Sequence, residues 1–135
     1  CPHHCPGCQN PETWSFNGGH ELPTDIKGQI IKAICANGIT RNFSILGGEP
    51  LCEENLDKVD NIITSVRAAF PHIKIFLWTG YTLEELKEKK DSRINHILLN
   101  IDTLIDGLFI EAERDITLEL RGSKNQRILQ REVDF

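Results

Sequence analysis

The sequence predicts an α/β fold: a partial (βα) barrel or curved open, mostly parallel sheet with five or six βα units. Three observations predict it. Helical periodicities and short apolar runs follow one another along the chain, the order expected of βα repeats. The apolar runs lack the in–out alternation of a half-solvated strand, which places them in a parallel sheet covered by helices. Finally, 135 residues fall well short of the roughly 250 that a closed eight-unit barrel requires. One domain spanning residues 1–135 is expected. The chain opens on Cys1 and contains no methionine, so an N-terminal segment, and with it the first strand, is expected to be missing.

Residues 1–23, rich in Pro, Gly and Asn, read as a long loop. Thr24 or Asp25 is placed to cap a helix running to about Asn37, with Ile26, Ile30, Ile31 and Ile34 on one face and Gly38 closing it. Phe43 to Leu46 reads as a buried strand, interrupted by Gly47-Gly48-Glu49-Pro50. Residues 53–69 form the clearest helix, with Leu56, Val59, Ile62, Ile63 and Val66 at helical spacing and Pro71 ending it. Ile73 to Trp78 is a second buried strand, broken by Thr79-Gly80. Thr82 and Glu85 make a capping box for a short helix to about Lys90. Thr103 to Ile105 is a strand stopped by Asp106-Gly107, and Ile116 to Leu120 is a candidate for a further one.

Composition narrows the function. A net charge of −5 argues against a general nucleic-acid binder. No signal peptide or apolar run of membrane length is present. The five cysteines are odd in number, and Cys35 and Cys52 stand alone, which disfavours a disulfide framework. Clustered free thiols in an acidic chain point to a reducing cytoplasm.

Three of those thiols, Cys1, Cys5 and Cys8, fall within one short loop. Prolines after Cys1 and Cys5 bias both toward extended backbone, and Gly7 allows a tight turn beside Cys8. Three thiolates are one short of the usual set for a four-iron cluster, so one iron would stay open to another ligand. His3 and His4 keep a structural Cys/His zinc site as the alternative, although no second ligand pair follows.

In a parallel α/β sheet the chemistry gathers at the C-terminal strand ends. Gly47-Gly48-Glu49 would let a ligand approach the backbone and place a carboxylate near a cationic amine. The alternative is a tight turn in which Glu49 favours the next helix N-terminus. Thr79, in Trp78-Thr79-Gly80-Tyr81, could hydrogen-bond a ligand or simply form a βα turn. Asp106, at a strand end, is a better candidate than Asp102, which begins the same strand.

Taken together, Cys5-Pro-Gly-Cys8-Gln-Asn10, Thr13-Trp14, Leu46-Gly-Gly-Glu-Pro-Leu51, Trp78-Thr-Gly-Tyr81, Ile105-Asp-Gly107 and Arg121-Gly-Ser-Lys-Asn-Gln126 carry a resemblance. In order and spacing, from Cys1 to about residue 128, the chain resembles the radical S-adenosylmethionine superfamily. Within it, the chain resembles the family that activates anaerobic ribonucleoside-triphosphate reductases. The resemblance implies a radical-SAM-type partial barrel and a [4Fe–4S] cluster on Cys1, Cys5 and Cys8. S-adenosylmethionine would chelate the open iron, with Gly47, Gly48 and Glu49 holding its amine and Thr79 and Asp106 shaping its pocket. A low-potential electron donor would reduce the cluster, and the reductase would be the protein substrate, left with a glycyl radical. The cofactors carry the hard chemistry while the protein binds and orients them.

Gln9 and Leu108 depart from the pattern: the family often has an aromatic residue at the first and a lysine at the second. Cys52 reads as a packed loop residue, and Arg121 to Gln126 has no chemical role legible in the sequence. Two competing functions are a radical enzyme acting on a small molecule and a non-catalytic zinc or iron–sulfur module.

Overall fold

A computed structural model describes residues 1–135. Its centre is a four-stranded sheet in the order β1-β2-β3-β4, with β1 Phe43–Ile45, β2 Ile75–Trp78, β3 Thr103–Asp106 and β4 Arg127–Gln130. The first three strands are parallel, and β4 returns antiparallel to β3. The sheet is thus open and mostly parallel as expected, but with four strands rather than five or six units.

Register explains where the core lies. Ile45 pairs with Leu77, Leu77 with Leu104 and Leu104 with Leu129, so one apolar row crosses all four strands on a single face. On that face pack α2 (Glu53–Ala69), α3 (Leu83–Glu88) and α4 (Ser92–Asn100). They contribute Leu56, Val59, Ile63 and Val66 from α2, Leu83 and Leu86 from α3, and Ile94, Ile97 and Leu98 from α4. The opposite face carries Phe76 and Trp78, half-buried, with ring centroids 6.3 Å apart. A single helical layer therefore covers the sheet.

Arg67, in the last turn of α2, joins helix to sheet. Its guanidinium donates to the carbonyls of Pro71, Ile73 and Asn100 and to Asp102 Oδ2. Asp102 also accepts from the Ile75 N–H at 2.9 Å and from Arg131 at 3.1 Å. It therefore anchors the start of β3 to the start of β2, rather than serving a site.

The helix over 53–69 and the Thr82–Glu85 capping box are present where expected. Several boundaries differ. The first helix, α1, spans Ile26–Ile34 instead of continuing to Asn37. Asn37 adopts a left-handed φ of 59° in a short 3-10 turn, and Arg41 Nη1 donates to the Ala36 and Ile39 carbonyls. Asp25 precedes α1 but makes no side-chain cap; its carboxylate accepts from Gln29. β1 is half-buried, not buried, because it lies at the sheet edge.

Ile116–Leu120 is not a strand. Ile116 is 86% exposed, Leu120 has a φ of 56°, and Asp115 ties Thr117 into a turn. The strand beside β3 comes instead from residues 127–130. The helix α4 was not foreseen, although Asp91 caps it through the Arg93 N–H. No helix is long and apolar enough to cross a membrane.

Candidate functional site

A cavity of about 410 Å³ lies beyond the C-terminal ends of the parallel strands. Cys1, Cys5 and Cys8 line it together with Gly47, Gly48, Glu49, Thr79 and Gly80. All three thiols are free and half-buried. The Cys8 N–H donates to the Cys5 carbonyl at 3.1 Å, and the Asn10 N–H lies 3.3 Å from Cys8 Sγ, so the loop curls around its sulfurs. Gly7, with a φ of +75°, makes that curl; a Cβ there would lie 2.7 Å from Glu111 Cδ. No three His, Cys, Asp or Glu side chains converge on a point that would hold a single metal ion.

Glu49 holds the cavity's parts together. Its side chain is 1% exposed, and its two oxygens accept four hydrogen-bond contacts. Oε1 takes the Leu51 N–H and the Thr79 hydroxyl, each at 2.8 Å. Oε2 takes the Gly80 N–H at 2.7 Å and faces His3 Nε2 at 2.7 Å. One carboxylate thereby links the cysteine loop, the turn after β1 and the turn after β2. His3 is consequently a partner of Glu49, and its ring stands edge-on to Tyr81 with centroids 4.6 Å apart. His4 stacks on Trp14 with centroids 4.8 Å apart.

The glycines serve close approach. A Cβ on Gly80 would lie 2.5 Å from His3 Cδ2, so only glycine admits the imidazole there. Gly47 has a φ of +118° with open space around it, whereas Gly48 backs onto Thr13 and Cys1. The Gly47-Gly48 backbone therefore lines the cavity without side chains in the way.

Asp106 is not brought into this group. It is buried at the end of β3, where it accepts from the Leu83 N–H at 2.8 Å and from Arg127 Nε at 2.9 Å. Arg127 also bridges to Glu84 at 2.7 Å. The Arg127 hydrogen bond holds the Glu84 carboxyl down at about 2, and Asp106 first and Glu84 second push the guanidinium pKa up. Asp106 therefore fastens α3 and β4 to the strand end, and Gly107 reaches the cavity in its place.

Cys52 is buried below the Gly-Gly-Glu turn, its thiol donating to the Glu49 carbonyl at 3.1 Å. Burial pushes that thiol's pKa up, with Glu54 adding to the effect. It does not line the cavity, whereas Gln9 does.

Residues 107–126 form the remaining wall. Phe109, Leu120, Arg121, Gly122 and Gln126 line the cavity. The Gln126 amide donates to the Gly107 carbonyl at 3.1 Å and accepts from the Gly122 and Ser123 N–H groups. Trp78 Nε1 donates to the Leu120 carbonyl at 2.7 Å. The Arg121–Gln126 motif thus supplies part of one wall of the cavity through Arg121, Gly122 and Gln126, a place that its sequence pattern does not reveal. Leu108 lies outside the lining, 43% exposed, with its carbonyl accepting from Asn125.

Comparisons with known proteins agree on one relationship. A family described as a 4Fe-4S single cluster domain matches residues 1–129. An anaerobic ribonucleoside-triphosphate reductase-activating protein from Vibrio cholerae is 40% identical over 129 residues, covering 95% of this chain and 81% of that protein. The protein of the same name from Escherichia coli K12 is 36% identical, covering 93% and 80%. The one from Enterobacteria phage T4 is 32% identical, covering 95% and 77%. No solved structure matches.

Proposed function

Because the chain belongs to the family of anaerobic ribonucleoside-triphosphate reductase-activating proteins, we propose that it is the radical-generating activase of such a reductase. Its protein substrate is the reductase, on which it leaves a glycyl radical. The observation that carries this is spatial: three free thiols from residues 1–8 line one cavity with the Gly47-Gly48-Glu49 turn and Thr79.

Those thiols fit a [4Fe–4S] cluster. They are half-buried around a shared space, and three thiolates leave one iron open. The zinc alternative is less well supported: His3 is the imidazole that lines the cavity, and its Nε2 is engaged by Glu49. When bound, the cluster supplies the electron that reductively cleaves S-adenosylmethionine.

The chain's own residues do the rest. Cys1, Cys5 and Cys8 would hold the cluster, and the bare backbone of Gly47 and Gly48 would receive the amino-acid end of the cofactor. Glu49, with its carboxylate already filled by four partners, acts by fixing His3 and the Thr79-Gly80 turn. Thr79 lines the cavity, and Asp106 shapes it from behind through Gly107. The single helical layer and the opposite face bearing Phe76 and Trp78 fit a radical-SAM-type partial barrel, a single domain over residues 1–135 with its inner face open to a partner. Free thiols fit a reducing cytoplasm, where a low-potential donor is at hand.

The test combines anaerobically reconstituted protein, reductant, S-adenosylmethionine and the reductase. A glycine-centred paramagnetic signal is expected in the reductase, and Cys5→Ala should abolish it. Cofactor cleavage without that signal would point to a small-molecule radical enzyme instead. Failure to take up iron would point to a non-catalytic module.

A further inference from the structure

Thr13-Trp14 belongs to a short 3-10 turn, Pro11–Trp14, directly after the cysteine loop. This turn grips the loop at both ends. At the loop's start, the Cys1 nitrogen donates to the Thr13 carbonyl. At its end, the Asn10 N–H lies 3.3 Å from Cys8 Sγ, and Asn10 lines the cavity beside the three thiols. Cys8 alone of the three carries a hydrogen bond on its sulfur, so the three ligands are electronically unequal. Thr13 fixes Asn10 in place: its N–H and its hydroxyl both donate to the Asn10 carbonyl, at 3.0 and 2.7 Å. Thr13 is itself braced against the turn after β1, where its Cβ would lie 3.4 Å from a Cβ on Gly48.

We propose that the Asn10 N–H raises the reduction potential of the cluster through Cys8, with Thr13 as its positioning residue, an inference that rests on the function proposed above. Reduction adds one electron to a thiolate-ligated cluster, so negative charge on the sulfurs grows. A donor aimed at one sulfur stabilises that more negative state most. The bond therefore eases transfer of the single electron from the low-potential donor; no covalent bond forms or breaks, and no proton moves. The same contacts give Thr13 its use. Its hydroxyl and N–H hold the backbone that carries the donor, and its carbonyl holds the other end of the cysteine loop.

The test uses the full chain loaded anaerobically with iron and sulfide, with iron content and a potentiometric titration of the cluster as readouts. Asn10→Ala keeps the N–H and should titrate as the wild type does. Lactic acid in place of that alanine puts an ester where the Gln9–Asn10 amide stood and removes the N–H. Its cluster should be roughly tenfold harder to reduce, a midpoint about 59 mV more negative for one electron. Thr13→Val, which loses the hydroxyl, should shift the midpoint the same way by less, and Thr13→Ser, which keeps it, should leave it in place. An ester protein that holds its iron with an unchanged or raised midpoint overturns the proposal. So does an equal shift in Asn10→Ala, since side-chain packing would then be the cause. If the ester protein does not hold iron, the Thr13 pair decides: equal midpoints for Thr13→Val and Thr13→Ser overturn the proposal. Wild-type protein that takes up no iron would sink the cluster reading itself, an outcome distinct from an unshifted variant.

Discussion

His3 Nε2 lies 2.7 Å from Glu49 Oε2, and the same oxygen accepts the Gly80 N–H at 2.7 Å. This pair fastens the cysteine loop, which has little secondary structure of its own, to the ends of two parallel strands. The loop's order therefore depends on a carboxylate 46 residues away.

Glu49→Gln should separate the fastening from the charge. The amide keeps one acceptor for Leu51 and Thr79, but its NH₂ then meets the Gly80 N–H, donor against donor. A loss of about 1–3 kcal/mol in unfolding free energy is expected, read by urea denaturation. The cluster loop should also release iron faster on gel filtration. Unchanged stability together with unchanged iron retention would contradict the fastening role.

Gly80→Ala attacks the same joint from the other side. Its Cβ would sit 2.5 Å from His3 Cδ2 and 2.7 Å from His3 Nε2, so the imidazole must leave Glu49. The expected cost is about 1–3 kcal/mol, with iron uptake reduced. His3→Ala in the Gly80→Ala background should restore part of the stability, because the clash is removed; a thermal melt of the double variant checks this.

Acid should weaken the fold partly through Asp102. Burial alone would raise its pKa, but the Ile75 N–H, Arg67 and Arg131 outweigh that and hold it below its ordinary value. A depressed folded pKa contributes stability above the unfolded value near 3.9, and that stability is lost as pH falls through the folded pKa. Asp102→Asn should be less stable at pH 7 and should lose less on acidification below about pH 4. Parallel curves for the two proteins from pH 7 to pH 2 would refute the assignment.

Thiol chemistry should divide the cysteines. Cys35 is exposed, whereas Cys52 is buried with its thiol pKa pushed up by burial. Brief iodoacetamide treatment of the cluster-loaded protein should modify Cys35 and spare Cys52, as peptide mass spectrometry would reveal. Rapid labelling of Cys52 would mean that the turn below Glu49 opens readily.

What the sequence makes legible follows from how local each signal is. The helix over 53–69 and the Thr82–Glu85 box depend on residues three and four apart, and both are where the pattern puts them. α4 carried the same kind of signal, in Asp91 and in Ile94, Ile97 and Leu98, but directly after a short helix it blurred into its neighbour. β4 is different: its half-buried pattern, exposed at both ends, becomes a strand only by pairing with β3. The grouping of Cys1, Cys5, Cys8, Gly47, Gly48 and Thr79 was readable through motif order. That Asp106 turns to Arg127, 21 residues on, was not, because an ion pair between distant positions leaves no mark on either.

The excursion from Gly107 to Gln126 leaves and re-enters the sheet on neighbouring strands, β3 and β4, held at its root by Gln126 and near its tip by Trp78. Its outermost residues, such as Ile116, touch little. Lengthening such a loop is cheap, about 0.6 kcal/mol for each doubling, and leaves the strand register intact. Insertions at the tip would therefore leave both the cavity's lining and the pairing of β3 with β4 in place.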